Sequence, residues 1–466
     1  MLYLFFAILL TLFGQFCFAA ELTLERALQL GWANHPDLQI SHQEVTLAEQ
    51  AIWLEKEDFR PQAHLRSRAR YAEDMERLSM GETLSVKSTL GTEIAIIAEE
   101  WVGHDERRKR HNHKGDDLSV GLSVTQPLLK GRTKAYNTFG LNNATIGKLI
   151  SEYQYQVTEQ TVLQKIIVAY RALQLATLNL NLQAHLLQGT ERLAGMIDKK
   201  IEIGKMPEIE GAHIKLQVQK ERVALKQIQD NTSLAWLKFW EALGVEPEPG
   251  FDRVSLPHDE DVTSFDKGES IEKGMDYDLN LKIWNLRKQQ AEQALQKARE
   301  DAWWDLDLKL ESNLGTSWDR PFNSYKDRRA NAAQLQLKVP LTDKRQKLKI
   351  ENHEISLRKI NLNILEQKRK IQINVETLWK NLDNLRMQKQ SSKEWLKLAQ
   401  ESLSLSQKKF ELGRSSMMEV MHYTDQLQLA EIQYTRTAIA VLNAKTDLDV
   451  ATGQLLEVWR DRAQLD

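Results

Sequence analysis

The fold is decided by a short stretch that occurs twice, KKIEIG at residues 199–204 and KKFELG at residues 408–413. A second pair of similar stretches, LSVTQPL at residues 122–128 and LQLKVPL at residues 335–341, keeps nearly the same register. The two offsets are about 209 and about 213 residues, and a spacing kept across half of a chain indicates an internal repeat. The two halves of the chain are therefore expected to share one structural plan.

The glycine at the end of each of these stretches predicts the tip of a helical hairpin. Gly204 and Gly413 suit the left-handed conformation just past a helix end, and the lysine pairs before them interact favourably with the last turn. Beyond the first glycine, Pro207 suits the first position of a returning helix. Beyond the second, the sequence SMME at residues 416–419 is typical of a capping box. We predict that both long helices reverse direction at these glycines.

Short strands are predicted before each long helix. Apolar and polar residues alternate at residues 120–125 and 306–311, and more weakly at residues 62–71. After Pro127 and Pro340 the apolar spacing changes to the sevens, fours and threes of a coiled coil. These two prolines are therefore predicted to mark the turns from strand to helix, and the pattern as a whole predicts four strands per chain.

An insertion distinguishes the first half from the second. Residues 34–52 resemble residues 278–296 with a larger offset of about 240 residues, which places about 30 extra residues between Tyr71 and Leu118. We predict an enlarged loop there, joining the first two strands. Its histidines and many basic residues, around residues 101–117, favour a solvated surface loop over a metal site.

Helix lengths predict an elongated molecule. The two long arms, residues 134–203 and 343–412, would each be about 70 residues or about 105 Å at 1.5 Å per residue. In each half the two shorter helices together match the long arm, so we expect them to line it end to end. The predicted organisation is a signal peptide at residues 1–19, a first repeat at 20–243, a mid-height linker at 244–268, a second repeat at 269–456 and a C-terminal tail at 457–466.

Composition argues against several classes of protein. The 63 basic and 65 acidic residues leave a formal charge of −2, which offers no general attraction for nucleic acid. The single cysteine, Cys17, lies in the apolar opening segment that predicts a signal peptide cleaved after Ala19, with an uncleaved anchor helix as the alternative. A mature chain cleaved there has no thiol. The sequence shows no paired carboxylates or Ser, His and Asp arrangement that indicates catalysis, and we expect no enzyme activity, cofactor or metal.

Four strands in one chain leave open edges, and an apolar sheet with unpaired backbone is unstable in water and in lipid. Closure needs further chains: two would give a filled barrel of eight strands, and three would give twelve strands with a lumen. Tilted strands of about 9 to 11 residues are long enough to cross an outer membrane. A water-soluble sandwich beside a coiled coil is the alternative, because alternation alone does not specify lipid contact.

The duplicated unit of helix, strand pair and long helix, with a glycine-tipped hairpin and a strand ending in QPL at residues 126–128, resembles the TolC-like outer membrane efflux proteins. The resemblance covers the chain from about Leu22 to Leu456 and lies in the ordered repeat rather than in a short motif. It implies a mainly α-helical fold with a small β part, in which duplicated coiled-coil hairpins form an α-barrel and four strands per chain enter a trimeric transmembrane β-barrel. The partners it implies are a homotrimer in outer membrane lipid, a periplasmic adaptor protein and an inner membrane pump.

The resemblance further implies that acidic residues just past the tip glycines narrow the periplasmic entrance. Glu210 and Glu419 lie six residues past their glycines, and His213 and His422 lie nine residues past them. His422 stands where the TolC pattern has a second acid, so the charge at that position would depend on pH. Arg414, one residue past its glycine, is a displaced counterpart of a basic residue that the family has near the tip. A purely structural role is the alternative, with Glu419 completing a capping box and Glu210 favouring a helix N-terminus.

The sequence therefore predicts a passive outer membrane channel of an efflux or type I secretion system, gated at its helix tips. The predicted location is the outer membrane of a Gram-negative bacterium, with a helical extension into the periplasm. The alternative is a soluble periplasmic coiled-coil adaptor or scaffold that transports nothing. The exported substrate and the class of pump are not specified, because a duct shared by many cargoes has no dedicated pocket.

Overall fold

The computed structural model describes residues 21–72, 75–105, 114–204, 206–247, 253–255, 266–319, 324–340, 344–412 and 414–463. The predicted signal peptide and the predicted tip Gly413 lie outside the described residues. The chain divides into two compact units. A helical unit comprises Met1–His42, Tyr155–Leu279 and Gln367–Asp466, and a sheet unit comprises Gln43–Gln154 and Asn280–Glu366.

The predicted fold class, mainly α-helical with a small β part, is confirmed. The two long helices, α4 and α8, have 64 and 68 residues. The elements in chain order are β1 (Glu21–Leu22), α1 (Leu24–Asn34), α2 (Pro36–Glu57), β2 (Gln62–Ala72), β3 (Met75–Lys87), β4 (Glu93–Asp105), β5 (Lys114–Pro127), α3 (Lys134–Asn137), α4 (Phe139–Glu202), α5 (Glu208–Leu243), β6 (Arg253–Val254), α6 (Lys267–Tyr277), α7 (Leu279–Asp301), β7 (Asp305–Asp319), β8 (Ser324–Lys338), α8 (Lys344–Glu411), α9 (Met417–Ala451) and α10 (Leu455–Ala463).

The long helix α4 is lined by two shorter helices that run antiparallel to it. Along α2, Glu49 forms an ion pair with Lys148 of α4, with their charged atoms 2.9 Å apart. Along α5, Arg222 forms an ion pair with Glu191 of α4 at 2.8 Å. Both pairs are largely exposed, so apolar packing rather than these contacts supplies most of the stability of the helix pairs.

The two lining helices meet end to end. Helix α5 ends at Gly244, whose φ of +68° is a left-handed conformation that favours glycine. A Cβ added to Gly244 would lie 2.6 Å from the Cδ of Pro36, so the end of α5 abuts the start of α2. The chain is not helical at His35, where α1 ends, because the proline that follows disfavours the helical conformation of the residue before it.

The second long helix is lined in the same way. Arg299 of α7 forms an ion pair with Glu354 of α8 at 3.1 Å. Further along α8, the buried hydroxyls of Ser392 and Thr437 of α9 share a hydrogen bond of 2.8 Å. The sequence pattern predicts one helix over residues 269–301, but a break at Asp278 separates α6 from α7.

The main apolar core lies in the helical unit. Tyr170 donates a hydrogen bond from its hydroxyl to the carbonyl of Leu22 at 2.8 Å, which ties β1 to α4. Strand β1 in turn pairs in parallel with β6, so part of the predicted mid-height linker is held against this core. The largest fully buried side chains of the core are Leu22, Leu28, Leu163, Ile166, Ile167, Tyr170, Leu173, Phe239 and Leu243.

The C-terminal helix α10 belongs to the same core. Its residues Leu455, Trp459 and Ala463 are buried, and Gln29 of α1 donates a side-chain hydrogen bond to the carbonyl of Ala463 at 3.0 Å. The sequence predicted only a tail at residues 457–466. Nine residues are too few to show a clear helical period, so the helix was missed.

Asp449 is a buried carboxyl near the end of α9. Burial raises its pKa from 3.8 to about 6, although the positive charges of Lys445, Arg171 and Arg462 oppose the shift. A raised pKa means that the folded chain favours the protonated acid. Its contribution to stability is therefore complete below pH 3.8 and is lost as the pH rises through about 6.

We expect Asp449→Asn to raise the free energy of unfolding by about 2–3 kcal/mol at pH 7.5 and to change it little at pH 4. The amide cannot ionise, so it avoids the cost of a buried negative charge. Thermal unfolding of the purified chain at the two pH values measures the difference, and Asp461→Asn, at an exposed position of α10, is the control. A gain at pH 4 as large as that at pH 7.5 would contradict the assignment.

The sheet unit contains six antiparallel strands in the order β2-β3-β4-β5-β7-β8. The prediction of four strands is wrong, because the insertion after Tyr71 forms β3 and β4 rather than a loop. The described parts of the segment predicted as a loop, residues 101–105 and 114–117, therefore lie in β4 and β5, and residues 106–113 lie outside the described residues. Because the insertion adds two strands, an even number, β5 runs in the direction predicted for the second strand. It therefore still ends at Pro127 and is followed by a helix. Pro340 lies between β8 and α8.

Candidate functional site

The first hairpin tip is a tight turn between α4 and α5. Gly204 has φ +69°, and its N–H donates to the carbonyl of Ile201 at 2.9 Å. Glycine adopts this left-handed conformation without the steric cost of a Cβ. Helix α5 begins at Glu208, and Pro207 is its N-cap rather than its first helical residue as predicted, because a ψ of 149° keeps Pro207 extended.

The second tip begins its return helix with a side-chain cap. Ser416 is the N-cap of α9, and its hydroxyl accepts a hydrogen bond from the N–H of Glu419 at 3.3 Å. The carboxylate of Glu419 accepts a hydrogen bond from the hydroxyl of Ser415 at 2.8 Å. Only the serine half of the predicted capping box is therefore formed as expected, since the carboxylate binds Ser415 instead of the N–H of Ser416.

Glu210 occupies the corresponding position of the first hairpin, three residues after the N-cap Pro207. Proline has no side-chain acceptor to cap this helix, and Glu210 lies in a first turn where a negative charge is favourable. One of its carboxylate oxygens, Oε2, is buried and has no hydrogen-bond partner among the described residues. The two tip glutamates therefore differ, because the carboxylate of Glu419 has a serine hydroxyl as partner.

An apolar cluster joins the two hairpin tips. Ile197 of α4, Ile214 of α5 and Met417 of α9 are buried together in it. Close by, the ammonium nitrogen of Lys200 lies 4.4 Å from the ring centroid of Phe410, a cation–π contact from the first hairpin to the second. We call Ile197, Ile214 and Met417 the tip cluster. Any movement that separates the two hairpins at this end must expose it.

The remaining predicted tip residues are on the surface. His213, His422 and Arg414 are exposed, and the ring of His422 meets the ring of Tyr423 edge-on at 5.5 Å. Within the described part of the chain, no hydrogen bond or ion pair joins these three residues to one another or to either tip glutamate. The structure thus places all five residues in the two hairpin ends, and among the described residues no hydrogen bond or ion pair joins any two of them.

A buried polar network further along the hairpins was not predicted. The amide of Gln183 on α4 donates to the carboxylate of Glu221 on α5, and Gln217 donates to the same carboxylate at 2.6 Å. Gln428 of α9 donates to the amide oxygen of Gln183 at 2.9 Å, so the network also links the two hairpins. Glu221 follows Ile214 and Val218 at helical spacing, so a charged residue within an apolar stripe was the available signal.

The sheet has one apolar and one polar face. On the apolar face, Leu84, Ile96 and Leu122 lie side by side on β3, β4 and β5, and each is 46–47% exposed. An apolar sheet face open to water is unfavourable, whereas apolar and polar residues that alternate along strands form the wall of a membrane β-barrel. The polar face carries His64, Arg66, Arg68, Asp307, Lys309 and Glu311.

Two further types of site are absent from the described segments. No helix in them is long and apolar enough to span a bilayer. They also contain no group of three or more His, Cys, Asp or Glu side chains placed to hold a metal ion.

Comparison with known proteins agrees with the fold described above. Residues 27–245 match the family model described as outer membrane efflux protein. Similar solved structures include the outer membrane protein VceC from Vibrio cholerae, at 14% identity and TM-score 0.68 over 92% of this chain and 96% of that one. The CmeC outer membrane channel of Campylobacter jejuni has 12% identity and TM-score 0.68 over 93% and 86%. The MtrE outer membrane channel of Neisseria gonorrhoeae has 13% identity and TM-score 0.65 over 93% and 89%. At these identities the likeness shows a shared fold, and no curated protein sequence matches the chain.

Residues 27–245 are therefore an outer membrane efflux protein domain, and the resemblance to the TolC-like outer membrane efflux proteins is confirmed. The matched family consists of outer membrane efflux channels, which are passive channels rather than enzymes.

Proposed function

We propose that three copies of this chain form the exit duct of a tripartite efflux or type I secretion system. Cargo would pass from a periplasmic helical tunnel to the cell exterior without chemical change. The observation that carries the proposal is the exposed apolar sheet face, together with edge strands β2 and β8 that each pair with one strand only in the described chain. Open edges need partner strands, and further copies of the same chain supply them.

The proposed gate is at the hairpin tips. In a threefold assembly, Glu210 and Glu419 would each form a ring of three carboxylates at the periplasmic entrance, which attracts cations and disfavours anions. The buried oxygen of Glu210 that lacks a protein partner supports a role beyond capping. His213 and His422 are exposed nearby. Opening would separate the two hairpins at the tip cluster.

The proposed partners are those that the family implies. A periplasmic adaptor would hold the helical end of the duct, and an inner membrane pump would supply the energy that a passive channel lacks. The soluble scaffold considered from the sequence would leave the apolar sheet face in water, which makes it the weaker candidate.

Planar lipid bilayers test the proposed function. Purified chain should migrate as a heat-resistant trimer in detergent and insert with discrete single-channel conductance. Conductance should be low in the resting state, because the tips are closed by packing. A protein that stays soluble without detergent and gives no conductance would support the scaffold instead.

We expect Glu210→Gln combined with Glu419→Gln to lower the preference of the channel for cations by about twofold or more and to weaken its block by divalent ions. The change removes six charges from the entrance of a trimer without altering side-chain size. Reversal potentials under a salt gradient measure the selectivity. Glu241→Gln combined with Glu401→Gln removes the same charge at exposed positions away from the tips and is the matched control. Unchanged selectivity in the tip variant would leave these residues with a structural role only.

A further inference from the structure

The hairpin β3–β4 is an integral part of the sheet. Its two strands pair with each other over thirteen positions, from Met75 opposite Asp105 to Lys87 opposite Glu93. β3 also pairs with β2 along eleven positions, and β4 pairs with β5 along twelve. A hairpin that lay outside the sheet would not pair with strands on both of its sides, so β3 and β4 are part of the sheet.

The apolar face extends across the hairpin from β3 to β7. Val86, Ile94, Val124 and Leu310 lie side by side on β3, β4, β5 and β7. The exposed fractions of the apolar residues on β3 and β4 equal those on β5, as the row of Leu84, Ile96 and Leu122 shows. The hairpin therefore presents the same surface as the strands that the family places in the membrane.

The stagger of the strands fits a barrel. Gln62 is the first residue of β2, and the strand register aligns it across the sheet with Ala332 of β8. Strand β8 continues six residues beyond Ala332, to Lys338. Six residues of stagger correspond to about 20 Å, spread over five strand spacings of about 4.8 Å each. If the lower strand ends lie at one level, the strands are tilted by about 40°, within the usual range of about 35–45° for membrane barrels.

We propose that β3 and β4 lie in the outer membrane with their apolar side chains against lipid acyl chains, so that each chain contributes six strands and a trimer closes a wall of eighteen. This inference rests on the proposed trimer. At a strand spacing of about 4.8 Å and a tilt of about 40°, an eighteen-stranded wall is about 36 Å across, against about 24 Å for twelve strands. The exit at the outer membrane would then be about 1.5 times wider than a twelve-stranded one.

Two carboxylates interrupt the apolar face. Glu82 lies opposite Ala98, and Glu100 lies opposite Met80, so both point to the apolar side of the hairpin. Acidic residues cost less than basic residues on the lipid side of a barrel, which makes two glutamates tolerable there. They also provide a test, because their removal should help only in a hairpin that contacts lipid.

The experiment is a cysteine scan of full-length chain that carries Cys17→Ser. Single cysteines at positions 94–99 of β4 are labelled with a bimane fluorophore, and the protein is reconstituted in vesicles that contain brominated phosphatidylcholine. We expect quenching by the brominated lipid at positions 94, 96 and 98 to exceed that at positions 95, 97 and 99 by about twofold or more. Positions 308–311 of β7 are the internal control, because this strand lies in the membrane whether the barrel has twelve strands or eighteen.

Uniformly weak quenching along β4, with alternation kept along β7, would overturn the inference and leave the proposed channel intact. Loss of alternation along both strands would overturn the proposed membrane barrel as well.

Glu82→Leu provides a second measurement: it should raise the thermal unfolding midpoint of the reconstituted protein, whereas Glu99→Leu, on the polar face of the same hairpin, should not. A rise with both variants, or with neither, contradicts lipid contact at Glu82. Averaged electron microscopy images of the trimer should show a wall of about 36 Å, and a wall of about 24 Å would contradict eighteen strands.

Discussion

Replacement of Arg460 by alanine is expected to lower the free energy of unfolding by about 2–3 kcal/mol at pH 7.5. One guanidinium nitrogen of Arg460 on α10 lies 3.0 and 3.1 Å from the two carboxylate oxygens of Glu159 on α4, and the Glu159 side chain is only 2% exposed. Removal of the cation leaves a buried carboxylate without its ion-pair partner. The loss is smaller than the roughly 3–5 kcal/mol of a fully buried pair, because the Arg460 side chain is half exposed.

The pH dependence of this loss tests its cause. Burial already raises the pKa of Glu159, against the opposing effects of Arg460 and of a hydrogen bond from Tyr155. Without Arg460 the pKa rises further, so the destabilisation is present near neutral pH and disappears at low pH, where the acid is protonated. Thermal unfolding at pH 4 and pH 7.5 measures both conditions. The combination of Arg460→Ala with Glu159→Gln should recover most of the stability at pH 7.5, and an equal loss at both pH values without recovery would contradict the account.

Replacement of Ile197 by alanine is expected to destabilise the closed tips by about 2–4 kcal/mol. Ile197 is fully buried with Ile214 and Met417, so truncation removes apolar contacts and leaves a cavity between the two hairpins. If opening separates the hairpins there, only the closed state loses these contacts. The open probability of single channels should then rise by about tenfold or more, since about 1.4 kcal/mol corresponds to a factor of ten.

The matched control is Ile209→Ala in the same hairpin, because the side chain of Ile209 is 60% exposed. It should change neither the open probability nor the unfolding midpoint by a measurable amount. A lower unfolding midpoint for Ile197→Ala together with an unchanged open probability would show that the tip cluster stays intact during opening. The gate would then lie elsewhere.

The long helices could be predicted because their apolar period persists over many turns. Helix α4 ends at Glu202 and α8 at Glu411, both within the repeated KK stretches, where lysine in the last turn has a physical reason to be. Breaks at His35 and Asp278 were missed. Local propensity gives no strong stop at Asp278, and the residue before Pro36 is a helix boundary that the sequence prediction did not use.

The extra strands were missed for two reasons that lie in the residues. Residues 94–98 form an unbroken apolar run, so β4 has no period of two. In β3, Leu78, Met80, Leu84 and Val86 do alternate with small polar residues, but Glu82 interrupts the pattern. The pairing that makes these segments strands is a tertiary property of neighbouring strands, which a single sequence shows only weakly.

The tip residues could be placed on their helices from the sequence but their contacts could not. Spacing from Gly204 identified Glu210, yet only the structure shows that one of its oxygens is buried without a protein partner. The link from Gln183 to Gln428 joins residues far apart in the chain, so no local pattern could indicate it.

The mass of the detergent-extracted particle tests the central claim most directly. Native mass spectrometry of the protein extracted from outer membranes should give three chains per particle, and the same preparation should form channels in lipid. A particle of one chain that is released without detergent and forms no channel would contradict the account.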